Sequence, residues 1–296
     1  MDRRLLVTGA SGFVAGSVLR QAVPDWEVHA VSRGPAMMAH PNLRWVQADV
    51  CADAAVAPRL LDSVQPDAVI HTTAIAAIDY CEQHQNEARR VNQDTTAWLA
   101  DACAERGIRL VYCSTDNVFD GERGMYREDE RPNPVNYYGV TKAEGERAVL
   151  ERGGVAARVA IVMGLPLLGA GNSFLSRMMK QLEAGETLGV PDTEVRTPVD
   201  VVTAGRALIE LAGGAHQGVF HLSGNDRMTR LEMVRRIAAH LGYPRERVQP
   251  NDPTAIPGRA PRPRDVSLAN TQTRTALETP LCGLEAGISR VLAMAR

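Results

Sequence analysis

A short apolar run, Arg4 to Thr8 (RLLVT), stops at Gly9-Ala10-Ser11-Gly12, and helical spacing begins at Phe13 and runs to Ala22. Strand, glycine turn and helix in this order open a dinucleotide-binding βαβ unit. Glycines let the backbone approach a pyrophosphate, and the helix N-terminus offers unpaired N–H groups and the positive end of its dipole. The pattern reads TGxxGxxA, with Ala15 where a third glycine often stands and Gly16 one place late. A methyl is tolerated where the helix packs on the strand. Taken alone, the segment could be an ordinary glycine-punctuated strand and helix, so the next strands decide.

Glu27 to Ser32 (EVHAVS) is the next strand, and it ends about 20 residues past Gly12, where an adenosine ribose would sit. An NAD site usually places a carboxylate there for the 2′-hydroxyl. This chain has Ser32-Arg33, and a guanidinium suits a 2′-phosphate, so NADP(H) is favoured and NAD(H) stays open. Arg33 as a mere solvated loop cation is the competing reading. Leu43 to Gln47 is a third strand, followed by Asp49-Val50. Asp49 either bonds the adenine amino group or caps a helix over 54–63. Ala68 to His71 (AVIH) is a wholly apolar strand of the parallel-sheet kind. The small residues Thr72-Thr73-Ala74 after it would let a cofactor cross the strand's carboxyl edge. His71 reads as a packed strand-end histidine rather than a catalyst.

A helical region opens at Asp79 and continues over 87–105, with Asn92 among the apolar positions of its inner face. A buried amide needs partners, so Asn92 either braces the site's backbone or lies exposed. Arg109 to Cys113 is a fifth strand and delivers Ser114-Thr115-Asp116. Then comes a polar loop and a helix over 138–151, in which Tyr138 and Lys142 share one face. A phenol beside an ammonium is a catalytic arrangement, since the cation favours the phenolate and lowers the tyrosine pKa. A hydroxyl at Thr115 or Ser114 would hold a substrate oxygen beside that tyrosine. YxxxK recurs by chance, and its weight here comes from the strand and glycine turn before it.

Strands alternating with helices predict an α/β fold, a Rossmann-type doubly wound parallel sheet with right-handed crossovers. A strand over 156–162 continues it. Beyond residue 163 the rhythm changes. Helices over 173–184, 200–211, 229–241 and 284–295, a strand over 219–222, an extended piece over 187–190 and a Pro-rich loop over 250–263 make a smaller C-terminal α/β substrate lobe. The division expected is 1–163 for the cofactor domain and 164–296 for the lobe, with a part near 199–222 returning to the sheet.

The 296 residues carry a net charge of −2, so no broad basic surplus draws nucleic acid. Cys51, Cys81, Cys103, Cys113 and Cys282 are odd in number, scattered and never CxxC. That argues against a disulfide framework or a metal site and for a reducing compartment. No apolar run reaches the ~18 residues of a membrane span, and the first strand begins too early for a signal peptide. A cytoplasmic protein that meets neither membrane nor nucleic acid is expected.

The glycine turn, the strand-end STD and YxxxK in one order resemble the extended short-chain dehydrogenase/reductase family. Within it the likeness is to dTDP-4-dehydrorhamnose reductases and their relatives. TGASGFVAG, QPDAVIHTTA, IDYCE, Val91-Asn92, STDNVFDG, NPVNYYGVTKAEGE, RTPVDVV, GVFHLSG and RPRDVSL carry it, from residue 5 to about 268. The resemblance implies a catalytic triad of Thr115, Tyr138 and Lys142 with Asp116 beside it. It implies a pyrophosphate turn of Gly9, Ser11, Gly12, Phe13 and Val14 and a ribose site at Ser32 and Arg33. Asp49, Val50, Thr72, Ala74 and Asn92 complete the expected cofactor contacts. Ser114, Asp116, Asn172 and Arg262 are expected on the substrate side, Arg262 towards a nucleotide-sugar diphosphate.

The implied activity is NAD(P)H-dependent reduction of a keto group on a nucleotide-activated or other sugar-like small molecule, by a homodimer. Two further readings remain. The same site can run an epimerase or dehydratase with no net cofactor turnover. The branch also holds a non-catalytic regulatory subunit of methionine adenosyltransferase. Gly164 to Asn172 departs from the family pattern.

Overall fold

The computed structural model describes residues 3–168, 173–252 and 258–294. Seven strands form one sheet: β1 (Arg4–Thr8), β2 (Glu27–Ser32), β3 (Leu43–Gln47), β4 (Ala68–His71), β5 (Arg109–Thr115), β6 (Val155–Val159) and β7 (Gly218–Leu222). Their spatial order is β7-β6-β5-β4-β1-β2-β3, and every pairing is parallel. The order reverses at β1, which pairs with β2 on one side and β4 on the other. Such a switch point opens a crevice at the carboxyl ends of the strands. The doubly wound α/β expectation is met.

Alternate strand residues point to opposite faces, and both faces are covered. Leu5, Val7, Ile70 and Val111 face α1 (Phe13–Ala22). Leu6, Val69, Leu110 and Tyr112 face α2 (Val56–Val64) and α3 (Thr95–Glu105). The third helix on that second face is α4 (Tyr137–Leu150), and Asn136 caps it by accepting from the Gly139 N–H at 2.9 Å. A separate apolar cluster knits α5 (Phe174–Glu183), α7 (Arg230–His240) and α8 (Leu284–Met294) to the start of α6 (Val201–Gly213). The rest of α6 packs with α1 under the sheet.

Three elements differ from expectation. The helix over 87–105 is broken: Gln85–Ala88 is α-helical, Arg89–Asp94 is π-helical, and α3 starts at Thr95. The extra residue of a π turn re-aims side chains, commonly at functional sites, and Asn92 lies buried within this one. β6 stops at Val159 rather than running to Val162. Val162–Met163 instead pairs with Val199–Asp200, which carries the chain off the sheet towards the smaller lobe. Part of the Pro-rich segment is extended, with Val248–Asn251 pairing in parallel with Leu188–Pro191. Among the described residues no helix is long and apolar enough to cross a membrane, and no group of His, Cys, Asp and Glu could hold a metal.

Candidate active site

Two adjoining cavities lie along the carboxyl edge of the sheet. One of about 230 Å³ runs over Gly9, Ser32, Arg33, Asp49 and Val50. The other, about 750 Å³, spans Ser11 to Val14, the ends of β5 and β6, Tyr138, Lys142 and the smaller lobe. Ser11, Gly12, Thr72, Ala74 and Ile75 line both, so the two form one groove.

The glycine turn is shaped as a cradle. Gly9 has φ +67°, and a Cβ there would meet the Thr73 amide nitrogen at 2.8 Å. Gly12 donates its N–H to the Gly9 carbonyl at 2.8 Å and starts α1 with no side-chain cap. The first N–H groups of α1 therefore face the groove, as an anion site requires. Ala15 is fully buried against the sheet, and Gly16 packs on Leu168, so the missing third glycine is absorbed by core packing.

The outer end holds the other expected cofactor residues in a particular way. The Ser32 hydroxyl donates to the Gly34 carbonyl at 2.9 Å, which leaves the exposed Arg33 as the charged group of that rim. Asp49 does not cap α2. Its carboxylate accepts the Cys51 N–H at 3.0 Å, and Asp53 takes the Ala55 N–H near the helix start. Val50 is buried beside it. Thr72 donates its hydroxyl to the Thr8 carbonyl at 2.8 Å and so keeps the β1 and β4 ends together. Ala74 is exposed at the shared wall.

Asn92 is fully buried. Its amide oxygen accepts the Ile75 N–H at 2.8 Å, and its amide nitrogen donates to the Ile75 carbonyl at 3.1 Å and to Thr141 Oγ1 at 3.1 Å. Of the two readings for Asn92, the bracing one is met. It holds the groove wall from behind and does not reach the groove surface. His71 is likewise internal, between Thr8 Oγ1 at 2.6 Å and Thr96 Oγ1 at 3.1 Å.

Thr115, Tyr138 and Lys142 converge at the end of β5. Tyr138 and Lys142 come from one face of α4, and both are nearly fully buried. Lys142 Nζ donates to the Cys113 carbonyl at 2.7 Å and lies 4.0 Å over the Tyr112 ring. Burial brings the Lys142 ammonium down to about 8, against the pull of Cys113 and Glu146. The expected lowering of the tyrosine is not found: burial pushes the Tyr138 phenol up, and the hydroxyl of Thr115 only partly opposes this. The Lys142 ammonium is bonded to a backbone carbonyl, and desolvation is the largest influence on the phenol. The phenol is protonated at neutral pH, as a proton donor must be.

The two candidate hydroxyls part ways. Ser114 points beneath the groove and donates to Glu146, so it is not free to hold a substrate oxygen. Thr115 faces the phenol; its hydroxyl donates to Asp116 Oδ1 at 3.2 Å and accepts the Asn117 N–H at 3.2 Å, so it serves a substrate oxygen only by turning from Asp116. Asp116 is buried on the groove wall, with Oδ1 accepting from Asn117 Nδ2 at 2.7 Å and Arg196 nearby. Burial raises its carboxyl pKa. Asn172 lies outside the described residues.

Sequence reasoning missed the groove's far wall. Arg177, Arg196 and Arg230 line it with Arg262. Glu194 gathers Arg230 at 3.0 Å, Arg259 at 2.6 Å and Arg196 at 3.5 Å. These residues come from distant segments with no common spacing, so no local pattern announces them. Glu146 was visible: Tyr138, Lys142 and Glu146 fall four apart on one helical face.

A family model described as the RmlD substrate binding domain matches residues 3–296. The chain belongs to that family. Its relatives include methionine adenosyltransferase 2 subunit beta of Bos taurus, 32% identical over 283 residues, covering 93% of this chain and 82% of that one. The dTDP-4-dehydrorhamnose reductase of Sinorhizobium fredii is 31% identical, covering 75% of this chain and 73% of its own. Among solved structures, the dTDP-4-dehydrorhamnose reductase of Bacillus anthracis in complex with NADP superimposes with a TM-score of 0.87 at 22% identity, covering 99% of each chain. The RmlD membership bears out the resemblance drawn from the strand-end STD and YxxxK.

Proposed function

We propose that this protein is an NADP(H)-dependent reductase of a keto group on a nucleotide-activated sugar. The observation that carries the reading is the convergence of Thr115, Tyr138 and Lys142 at the sheet edge, in one groove with the glycine turn. A dinucleotide fits the cradle at Gly9 and Gly12, where a Cβ on Gly9 would strike backbone. Arg33 at the outer rim suits a 2′-phosphate, and NAD(H) is the second choice. The bound nicotinamide supplies hydride to the carbonyl carbon. Tyr138, a phenol whose pKa burial raises, gives its proton to the carbonyl oxygen as charge develops. Thr115 donates a hydrogen bond to the same oxygen and fixes its orientation. Lys142 carries the compensating charge and has N–H donors beyond the Cys113 bond for a ribose hydroxyl. The arginines of the far wall supply positive charge suited to a diphosphate.

Tyr138→Phe is the direct test. The variant should lose about two to four decades of turnover while its fluorescence titration with NADPH stays that of wild type. Normal turnover on a keto sugar nucleotide would remove Tyr138 from the role. The reading includes a cytoplasmic homodimer: the scattered, unpaired cysteine pattern supports the reducing compartment and the family likeness supports the dimer, whose mass light scattering checks.

A second reading rests on one observation: methionine adenosyltransferase 2 subunit beta is matched over 93% of this chain, against 75% for the reductase. On that reading the protein binds a partner synthetase and turns over no ketone. The complete Tyr138, Lys142 and Thr115 set favours the reductase.

A further inference from the structure

Arg262 lines the larger cavity, and its side chain is only 14% exposed. Its Nη2 donates to Asp79 Oδ2 at 2.8 Å, and Nη1 to the Ala260 carbonyl at 2.8 Å. The other Asp79 oxygen accepts the Ala260 N–H at 2.8 Å, and Asn136 donates Nδ2 to the Pro261 carbonyl at 3.1 Å. Three consecutive residues of the smaller lobe, Ala260 to Arg262, are thus pinned beside the groove by two residues of the sheet domain. The bonds from the Ala260 N–H to Asp79 and from Asn136 to the Pro261 carbonyl do not use the charge of Arg262. The Asp79–Arg262 pair does.

A guanidinium fork accepts a carboxylate or a phosphate in the same plane. Asp79 is half exposed, at 50%, and a carboxylate so close to water holds its partner weakly. A diphosphate brings more negative charge to the same fork, with Arg230 and Arg177 also on the groove wall. Arg262 is therefore poised between an internal anion and an incoming one.

We infer that Asp79 is a specificity-determining residue: its carboxylate occupies the Nη2 arm of the Arg262 guanidinium in place of the substrate's diphosphate and surrenders it when a diphosphate arrives. This rests on the nucleotide-sugar reading and deepens it. A ligand without the diphosphate cannot displace Asp79 and gains nothing from Arg262. The loop keeps its position during the exchange, because the Ala260 and Pro261 bonds persist.

The test is calorimetric titration of inorganic pyrophosphate into protein saturated with NADPH, so that the glycine turn is already filled. Wild type is compared with Asp79→Asn, Arg262→Gln and the double variant. Asn keeps an oxygen for the Ala260 N–H and removes only the charge; Asp79→Ser replaces it should the Asn variant not fold. Removing the internal competitor should tighten pyrophosphate binding about three- to tenfold. Arg262→Gln should weaken it, and Asp79→Asn should change nothing on that background. Unchanged or weaker binding by Asp79→Asn overturns the inference, as does an Arg262→Gln variant that binds like wild type. Turnover plays no part in this readout, so failure of the reductase reading shows separately, in the NADPH consumption of wild type.

Discussion

The guanidinium of Arg158 lies against the carboxylate of Glu146, 2.9 Å away, with both side chains 2% exposed. Arg158 is the fourth of the five residues of β6, and Glu146 lies on the same face of α4 as Tyr138 and Lys142. Glu146 also accepts from Ser114 on β5. One buried carboxylate therefore ties the helix that carries the phenol to the strand that carries Thr115.

Breaking this pair should be costly. Glu146→Ala leaves the Arg158 charge buried without a partner, worth about 3–5 kcal/mol of stability. Replacing both by apolar residues of similar volume should cost far less. Urea unfolding of the single and double variants checks this, and equal losses in the two would contradict it.

Lys142 should set the alkaline limb of the pH profile. Its ammonium, brought down to about 8 by burial, loses its charge as pH rises through that value. Tyr138 is pushed up by burial and stays protonated across the same range. We expect kcat/KM for reduction to fall above pH ~8 with the slope of one proton, and Lys142→Met to be slower and to lose that limb. A wild-type profile flat through this region would rule the assignment out.

Acid should destabilise the fold through two histidines. Burial holds His71 and His221 at about 3, whereas in the unfolded chain they take protons near pH 6.5. Their contribution is complete above that pH and is lost as pH falls from there towards 3. The loss is about 1.4 kcal/mol per pH unit for each histidine. Asp116 and Glu128, whose carboxyls burial pushes up, oppose this at lower pH, so the variant is the cleaner readout. His71→Gln should lose less stability than wild type between pH 7 and pH 5 in urea titrations. Parallel losses would contradict the account.

The cofactor half of the molecule was legible because its signals are local. β2, β3 and β4 begin and end where the apolar runs do, and the glycine turn is read from four consecutive residues. Arg158 was legible in principle, since a charge inside the buried strand VAARV must have a partner. The π turn at Asn92 was not, because one extra residue in a helix leaves no mark on composition. The direction of the Tyr138 shift was misjudged for a related reason. Spacing places Lys142 near the phenol but says nothing of how far both are desolvated. The arginine wall depends on three-dimensional assembly alone: Arg196, Arg230 and Arg259 meet around Glu194, and Arg177 joins Arg196 and Arg230 on the groove wall, only once the smaller lobe has folded against the sheet.

The measurement that bears most directly on the central claim is cofactor stoichiometry. Purified protein is mixed with NADPH and a 4-keto sugar nucleotide, and absorbance at the reduced nicotinamide band is followed against product. A reductase consumes one NADPH for each carbonyl reduced, and that is the result predicted here. Product formed with no net loss of NADPH would make the protein an epimerase or dehydratase. The absence of any product, together with co-purification of a methionine adenosyltransferase, would make it a regulatory subunit.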